Sequence, residues 1–116
     1  MKRQGFAKCE HLLAKKDFDA TYALRRSARD GRLVLYARPN ALKHSRLGMS
    51  VAKRYGNSVR RNRFRRLIRE AFRLHKEELP KGCDFIVIPG RGLDVSLDDI
   101  AQSLLTLAKK LCAPQA

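Results

Sequence analysis

A single α+β or α/β sandwich is the fold this sequence predicts, and three observations predict it. Apolar residues alternate with a period of two in three short runs. They recur at three- and four-residue spacing in three longer runs. The 116 residues suit one hydrophobic core and leave little room for a second, so residues 1–116 form one domain.

Asp17 to Arg26 reads as a short helix, with Phe18, Thr21, Tyr22 and Arg25 at helical spacing and Leu12 and Leu13 ahead of it as anchors. Asp30-Gly31 marks a turn. Arg32 to Arg38 reads as a strand with Leu33 and Leu35 on one face and Val34 and Tyr36 on the other. Pro39-Asn40 ends it, and Lys43-His44-Ser45-Arg46 looks like a basic loop. A second strand runs from Leu47 to Ala52, where Gly48 permits a close backbone approach or a bulge. Asn57 or Ser58 then caps a long helix from about Val59 to Glu78. Phe64, Leu67, Ile68, Ala71, Phe72 and His75 form its apolar stripe. Pro80-Lys81-Gly82 stops this helix, and Asp84 to Ile88 is the third clear strand. The last helix spans about Leu97 to Leu111 with Ser96 as its cap, burying Leu97, Ile100, Leu104, Leu107 and Leu111.

Charge narrows the function. Against 11 acidic residues stand 26 Lys and Arg, a formal excess of +15 that points to a polyanion. A membrane is disfavoured, because the longest strongly apolar run is Phe85-Ile86-Val87-Ile88 and spanning a bilayer takes about 20 such residues. The first sixteen residues scatter their lysines and arginine and hold no apolar block of signal-peptide length, so a cytoplasmic protein is expected. Cys9, Cys83 and Cys112 form no C-x-x-C pair and are odd in number, which disfavours a disulfide framework or zinc finger. Three reduced thiols are expected, with Cys83 partly buried.

The basic residues concentrate on the long helix and its approach. Nine basic residues and one acid, Glu70, lie between positions 53 and 73. Like charges one turn apart, such as Arg61 with Arg65, each cost some tenths of a kcal/mol (about 0.2–0.5). Asn62, Arg66, Arg69, Arg73 and Lys76 share one face, Arg65 flanks it, and Arg61 turns closer to the apolar stripe. Guanidinium forks grip phosphate oxygens two at a time and stack on bases, so this helix reads as a nucleic-acid surface.

Arg61-Asn62-Arg63, with Lys53 and Gly56-Asn57 before it and Arg65-Arg66-Leu67-Ile68-Arg69 after it, closely resembles the Arg-Asn-Arg signature of the bacterial ribonuclease P protein family. Four further blocks are similar in order: Lys16-Asp17-Phe18, Leu33-Val34-Leu35-Tyr36, Arg46 to Val51, and Asp84 to Ile88. The likeness spans about residues 12–111. Ahead of the first helix the family often carries an Arg-Leu pair, where this chain has His11-Leu12-Leu13. The resemblance implies an α+β, two-layer sandwich of a mixed four-stranded sheet and three helices in the order α-β-β-β-α-β-α, with a left-handed β-α-β crossover. Only two strands are evident before the arginine helix, so the missing one is sought between Arg38 and Arg46.

The resemblance also implies a function: the protein subunit of ribonuclease P, an endonuclease that removes 5′ leaders from precursor tRNA. Arg60, Arg61, Asn62, Arg63, Arg65, Arg66 and Arg69 would contact the catalytic RNA. Phe18, Tyr22 and Tyr36, with Lys53 at the rim, would hold the single-stranded leader. Aromatic platforms in a positive groove suit a strand of variable sequence. Catalysis by the protein is not expected. His11, His44 and His75 are far apart, and the acids are too dispersed for a two-metal site. Hydrolysis is assigned to the RNA, with Mg2+ held mainly by it. The alternatives are a small ribosomal or ribosome-assembly protein and, more remotely, a duplex-DNA binder, although such uniform side chains offer little base-edge readout.

Overall fold

The computed structural model describes residues 14–112. Expectations that fall on Cys9, His11, Leu12 and Leu13 lie outside them.

Helix α1 (Lys15–Leu24) ends where Arg25 takes the left-handed conformation, φ 60°. Four strands follow: β1 (Ser27–Arg29), β2 (Leu33–Pro39), β3 (Arg46–Met49) and, after helix α2 (Ser58–Leu74), β4 (Cys83–Pro89). Helix α3 (Leu97–Leu111) completes the described chain. The sheet order is β1-β2-β4-β3. β2 runs antiparallel to both β1 and β4, whereas β3 lies parallel to β4, so the sheet is mixed. The β3–β4 ladder pairs Arg46 with Asp84 through Met49 with Val87 without a bulge at Gly48.

The fourth strand does not lie between Arg38 and Arg46. It precedes β2, and Asp30-Gly31 is the turn of a β1–β2 hairpin. Asp30 Oδ1 accepts the backbone N–H groups of Arg32 and Leu33, and Gly31 sits at φ +92°. Ser27-Ala28-Arg29 is short and lies at an exposed edge, so it carries no readable alternation. The segment between Arg38 and Arg46 is a loop organised by Asn40. Its side chain donates to the His44 carbonyl and to Asp84, and its oxygen accepts the Leu42 N–H.

Period-two patterning decides which face of the sheet is buried. Leu33, Leu35 and Ala37 of β2, Leu47 of β3, and Phe85 and Val87 of β4 form a core with α2 and α3. α2 contributes Phe64, Ile68, Ala71 and Phe72, and α3 contributes Ile100, Leu104, Leu107 and Leu111. Asn57 caps α2 by accepting the Arg60 N–H, and Ser96 caps α3 by accepting the Asp99 N–H. α2 stops at Leu74, short of the expected Glu78. The Glu78 and Leu79 N–H groups both turn back to the His75 carbonyl. His75 therefore leaves the buried stripe; its side chain is 30% exposed and meets Glu78 at 3.0 Å. Gly90 closes the sheet at one end, because a Cβ there would stand 2.4 Å from the Gly31 carbonyl oxygen.

α1 lies across the other face of the sheet, against β2 and β4. An ionic cluster joins them. The wholly buried Asp84 carboxylate accepts from Arg46 Nε and Nη2, each at 2.7 Å, from Arg38 Nη2 at 2.7 Å and from Asn40 at 2.8 Å. Asp17 of α1 meets Arg38 at 3.4 Å and Arg46 at 3.5 Å. Two carboxylates thus balance two guanidinium groups.

Burial alone would raise the Asp84 pKa, but the hydrogen bonds from Arg46, Arg38 and Asn40 outweigh it and hold the carboxyl below its ordinary 3.8. A depressed folded-state value means that the group's contribution is complete above the ordinary carboxylate range and lost as pH falls through the folded value. Asp84→Asn should destabilise the fold by about 3–5 kcal/mol at neutral pH, because it strands two arginines. Urea melts as a function of pH check this: the difference between variant and wild type should shrink below pH ~4.

Candidate RNA-binding surfaces

The geometry of α2 follows from its two-sided composition. Full burial of each large apolar side chain on the stripe is worth roughly 1.5–3 kcal/mol, several times the repulsion of a like-charge pair on the other side. The core therefore fixes the helix, and the arginines go where the stripe leaves them. They do not form one uniform comb.

Arg60 and Arg63 lean toward the loop before α3. Arg60 Nη2 meets Asp94 at 2.9 Å, and Arg63 donates to the Val95 carbonyl at 3.3 Å and to the Leu93 carbonyl at 3.5 Å. Half-buried Arg61 folds back to the Gly56 carbonyl at 3.1 Å. Asn62 accepts from Arg65 at 3.1 Å, which orients that guanidinium. Arg73 pairs with Glu70 one turn back, which holds the Glu70 carboxyl below its usual range. Arg66 and Arg69 make no hydrogen bond or ion pair among the described residues; Arg66 is exposed and Arg69 half-buried. Of the seven predicted contacts, Asn62, Arg65, Arg66 and Arg69 thus form an outward row, while Arg60, Arg61 and Arg63 also brace the fold.

A second surface lies on the face that α1 partly covers. Tyr22 and Tyr36 meet edge to face at 4.9 Å between ring centroids, and Phe18 stands 6.4 Å from Tyr22. All three rings are half-buried and outside the main core. Burial raises the Tyr22 pKa, against the opposing influence of the Ser50 hydroxyl just after β3. Lys53 is exposed, in the single 3₁₀ turn (Lys53–Tyr55) between β3 and α2. No hydrogen bond or cation–π contact joins Lys53 to the aromatic row among the described residues. The row itself is brought together as expected.

Sequence patterning missed two features beside these surfaces. One is the floor beside the aromatic row, where Arg38 and Arg46 are held by Asp17 and Asp84; charged residues at strand ends look like ordinary strand exits. The other is a recess of about 450 Å3 lined by Arg32, Tyr55, Arg60 and Arg91. The Arg54 guanidinium stacks over the Tyr55 ring, 4.8 Å from its centroid. The recess is lined from three separated segments, and the Gly31–Gly90 approach brings the Arg32 and Arg91 segments together.

Among the described residues no three His, Cys, Asp or Glu side chains gather as a metal site. No helix there is long and apolar enough to cross a membrane. The arrangement offers cations and ring faces to a ligand.

Comparison with known proteins identifies the family. The ribonuclease P family model matches residues 6–112. The ribonuclease P protein component of Thermotoga maritima is 33% identical over 113 residues, covering 93% of this chain and 97% of its own length. That of Pelotomaculum thermopropionicum is 37% identical over 100 residues, covering 85% and 89%. The solved ribonuclease P protein from Thermotoga maritima superposes with a TM-score of 0.79 at 34% identity, over 87% of this chain and 96% of that one. The Staphylococcus aureus ribonuclease P protein gives 0.78 at 34% identity, over 90% and 99%. These matches favour the ribonuclease P reading over a ribosomal one, and with nearly the whole chain covered they allow a plain conclusion: this protein belongs to the ribonuclease P protein family.

Proposed function

We propose that this chain, as the protein component of ribonuclease P, docks the RNA subunit on the outward side of α2 and holds the 5′ leader of precursor tRNA on the aromatic row. Asn62, Arg65, Arg66 and Arg69 supply the principal docking contacts, and Arg60, Arg61 and Arg63 support them from the first turns of the helix. Phe18, Tyr22 and Tyr36 stack leader bases, and Lys53 attracts leader phosphates at the rim. The RNA subunit carries out the hydrolysis with Mg2+ that it mainly holds itself. The setting is the cytoplasm.

The observation that carries this reading is the pair of guanidinium groups of Arg66 and Arg69, without a partner among the described residues, on a helix whose opposite side is locked in the core. An unpaired fork on a helix held by the core gives up no existing partner on meeting a phosphate, and its planar donors are pre-arranged for two oxygens. The half-buried rings carry the second part, since stacking contributes about 1–3 kcal/mol per base and tolerates any base.

Arg66→Ala should weaken binding of the ribonuclease P RNA and flatten log K against log salt by somewhat under one unit, about 0.7–0.9, with the fold intact. Arg66→Lys should restore the salt slope better than the affinity, because it keeps the charge and loses the fork. A salt titration of the RNA subunit against wild type and both variants measures this. An unchanged slope in Arg66→Ala, with leader binding crippled, would reverse the assignment of the two surfaces.

Alanine at Phe18, Tyr22 or Tyr36 should reduce holoenzyme affinity for precursor tRNA by about 1–3 kcal/mol while leaving mature tRNA nearly untouched. Equal losses for both ligands would return these rings to a packing role. Incubated with precursor tRNA and Mg2+, protein freed of RNA should give no specific 5′ cleavage, and adding the RNA subunit should produce it.

A further inference from the structure

Away from both RNA surfaces, the structure brings two thiols together. Cys83 opens β4 on the core side of the sheet, and Cys112 caps the C-terminal end of α3. Their Sγ atoms stand 2.8 Å apart, although 29 residues separate them in the chain. Both backbones are held. The Cys83 N–H donates to Ser45 Oγ, which itself bonds the Pro80 carbonyl, and the Cys112 N–H donates to the Ala108 carbonyl. A disulfide needs the sulfurs at about 2.05 Å, so they must close by less than about 1 Å.

The two thiols differ in environment. Cys83 is 6% exposed, whereas Cys112 is half-buried and open to solvent on one side. The guanidinium of Arg26, on the link between α1 and β1, reaches this corner and donates to the Leu111 carbonyl. The hydrogen bond from Cys83, then the Arg26 charge, hold the Cys112 thiol below its ordinary range against the effect of burial. The same hydrogen bond and burial push the Cys83 thiol up. Cys112 is thus the more acidic and more accessible thiol, and Cys83 is a shielded thiol in contact with it.

We propose that Cys83 and Cys112 form an oxidisable dithiol, which a hydroperoxide converts to a disulfide tying the end of α3 to the start of β4. The Cys112 thiolate attacks the outer peroxide oxygen. The O–O bond breaks, Cys112 becomes a sulfenic acid, and the alkoxide or hydroxide leaves and takes up a proton. The Cys83 sulfur then attacks the Cys112 sulfur and displaces hydroxide, which leaves as water with the Cys83 proton. Two thiols and one hydroperoxide give one disulfide, one alcohol or water, and one water. Contact between the sulfurs favours this second step over further oxidation of Cys112.

The test treats the full chain carrying Cys9→Ser with hydrogen peroxide, followed by intact mass and non-reducing tryptic mapping. Each chain should lose two hydrogen masses and gain no oxygen. Peptides 82–91 and 111–116 should appear as one linked species, released by a thiol reductant. The melting midpoint should rise on oxidation and return on reduction, with affinity for the RNA subunit unchanged. In Cys83→Ser, a 1,3-dione should trap the Cys112 sulfenic acid. In Cys112→Ser, the core-shielded Cys83 should react more slowly than Cys112 does in Cys83→Ser. Arg26→Gln should slow oxidation near neutral pH and match wild type in alkali, where the thiolate forms without help. Cross-links between chains, or Cys112 carried to a sulfinic acid with Cys83 still free, would overturn the proposal.

Discussion

The buried Asp84 carboxylate is the constraint on which the sheet and its covering helix both depend. A lone carboxylate there would be costly, so its partners are obligatory. Arg38 comes from β2, Arg46 from β3 and Asn40 from the loop between them, so one carboxylate fixes the registers of three neighbouring segments. Asp17 then carries the cluster up to α1. The result is a neutral group beneath a helix that supplies two of the three rings of the aromatic row, the third coming from β2. Its charges cancel locally, which separates the floor of that row from the strongly cationic remainder of the surface. Arg38 Nε remains buried without a partner, the one such side-chain atom among the described residues.

On α2 the same chemistry is used with opposite consequence. There the carboxylates are few and exposed, so Asp94 and Glu70 steady Arg60 and Arg73 without burying them. Exposed pairs of this kind are worth about 0–1 kcal/mol and can be exchanged for a phosphate at little loss. Apolar burial holds the helix and lets the charge density stand. Stability and ligand recognition are therefore placed on opposite sides of one element.

What was legible in the sequence was whatever recurs with a period or sits in one continuous run. Leu97 to Leu111 with its Ser96 cap, the stripe from Phe64 to Phe72, and the β2 and β4 strands all repeat a buried contact at regular spacing. The arginine row was legible for the same reason, and resemblance added the aromatic row. The rest depends on contacts between distant segments. Ser27–Arg29 is a strand because the Asp30-Gly31 turn folds it onto β2, and its own residues carry no signal. Asp84 reads as the first residue of an apolar strand, with nothing local to announce two arginines from elsewhere. Cys83 and Cys112 count as two unrelated thiols until α3 is laid against the sheet. His75 belonged to the stripe by spacing and left it because the helix ends early.

The loop after β4 contains two glycines that look interchangeable in the sequence, and the packing separates them. At Gly90 the backbone of the β1–β2 hairpin occupies the space of a side chain, so the hairpin tip and the loop are seated like two parts of a hinge pin. At Gly92 nothing lies within 4 Å of where a Cβ would be. An insertion or enlargement at the first position would lift Arg32 away from Arg91 and Tyr55 and open the basic recess, while the second can be decorated freely. The loop is therefore a place where new side chains could be added beside the arginines, provided they are added one residue beyond Arg91 and never one residue before it.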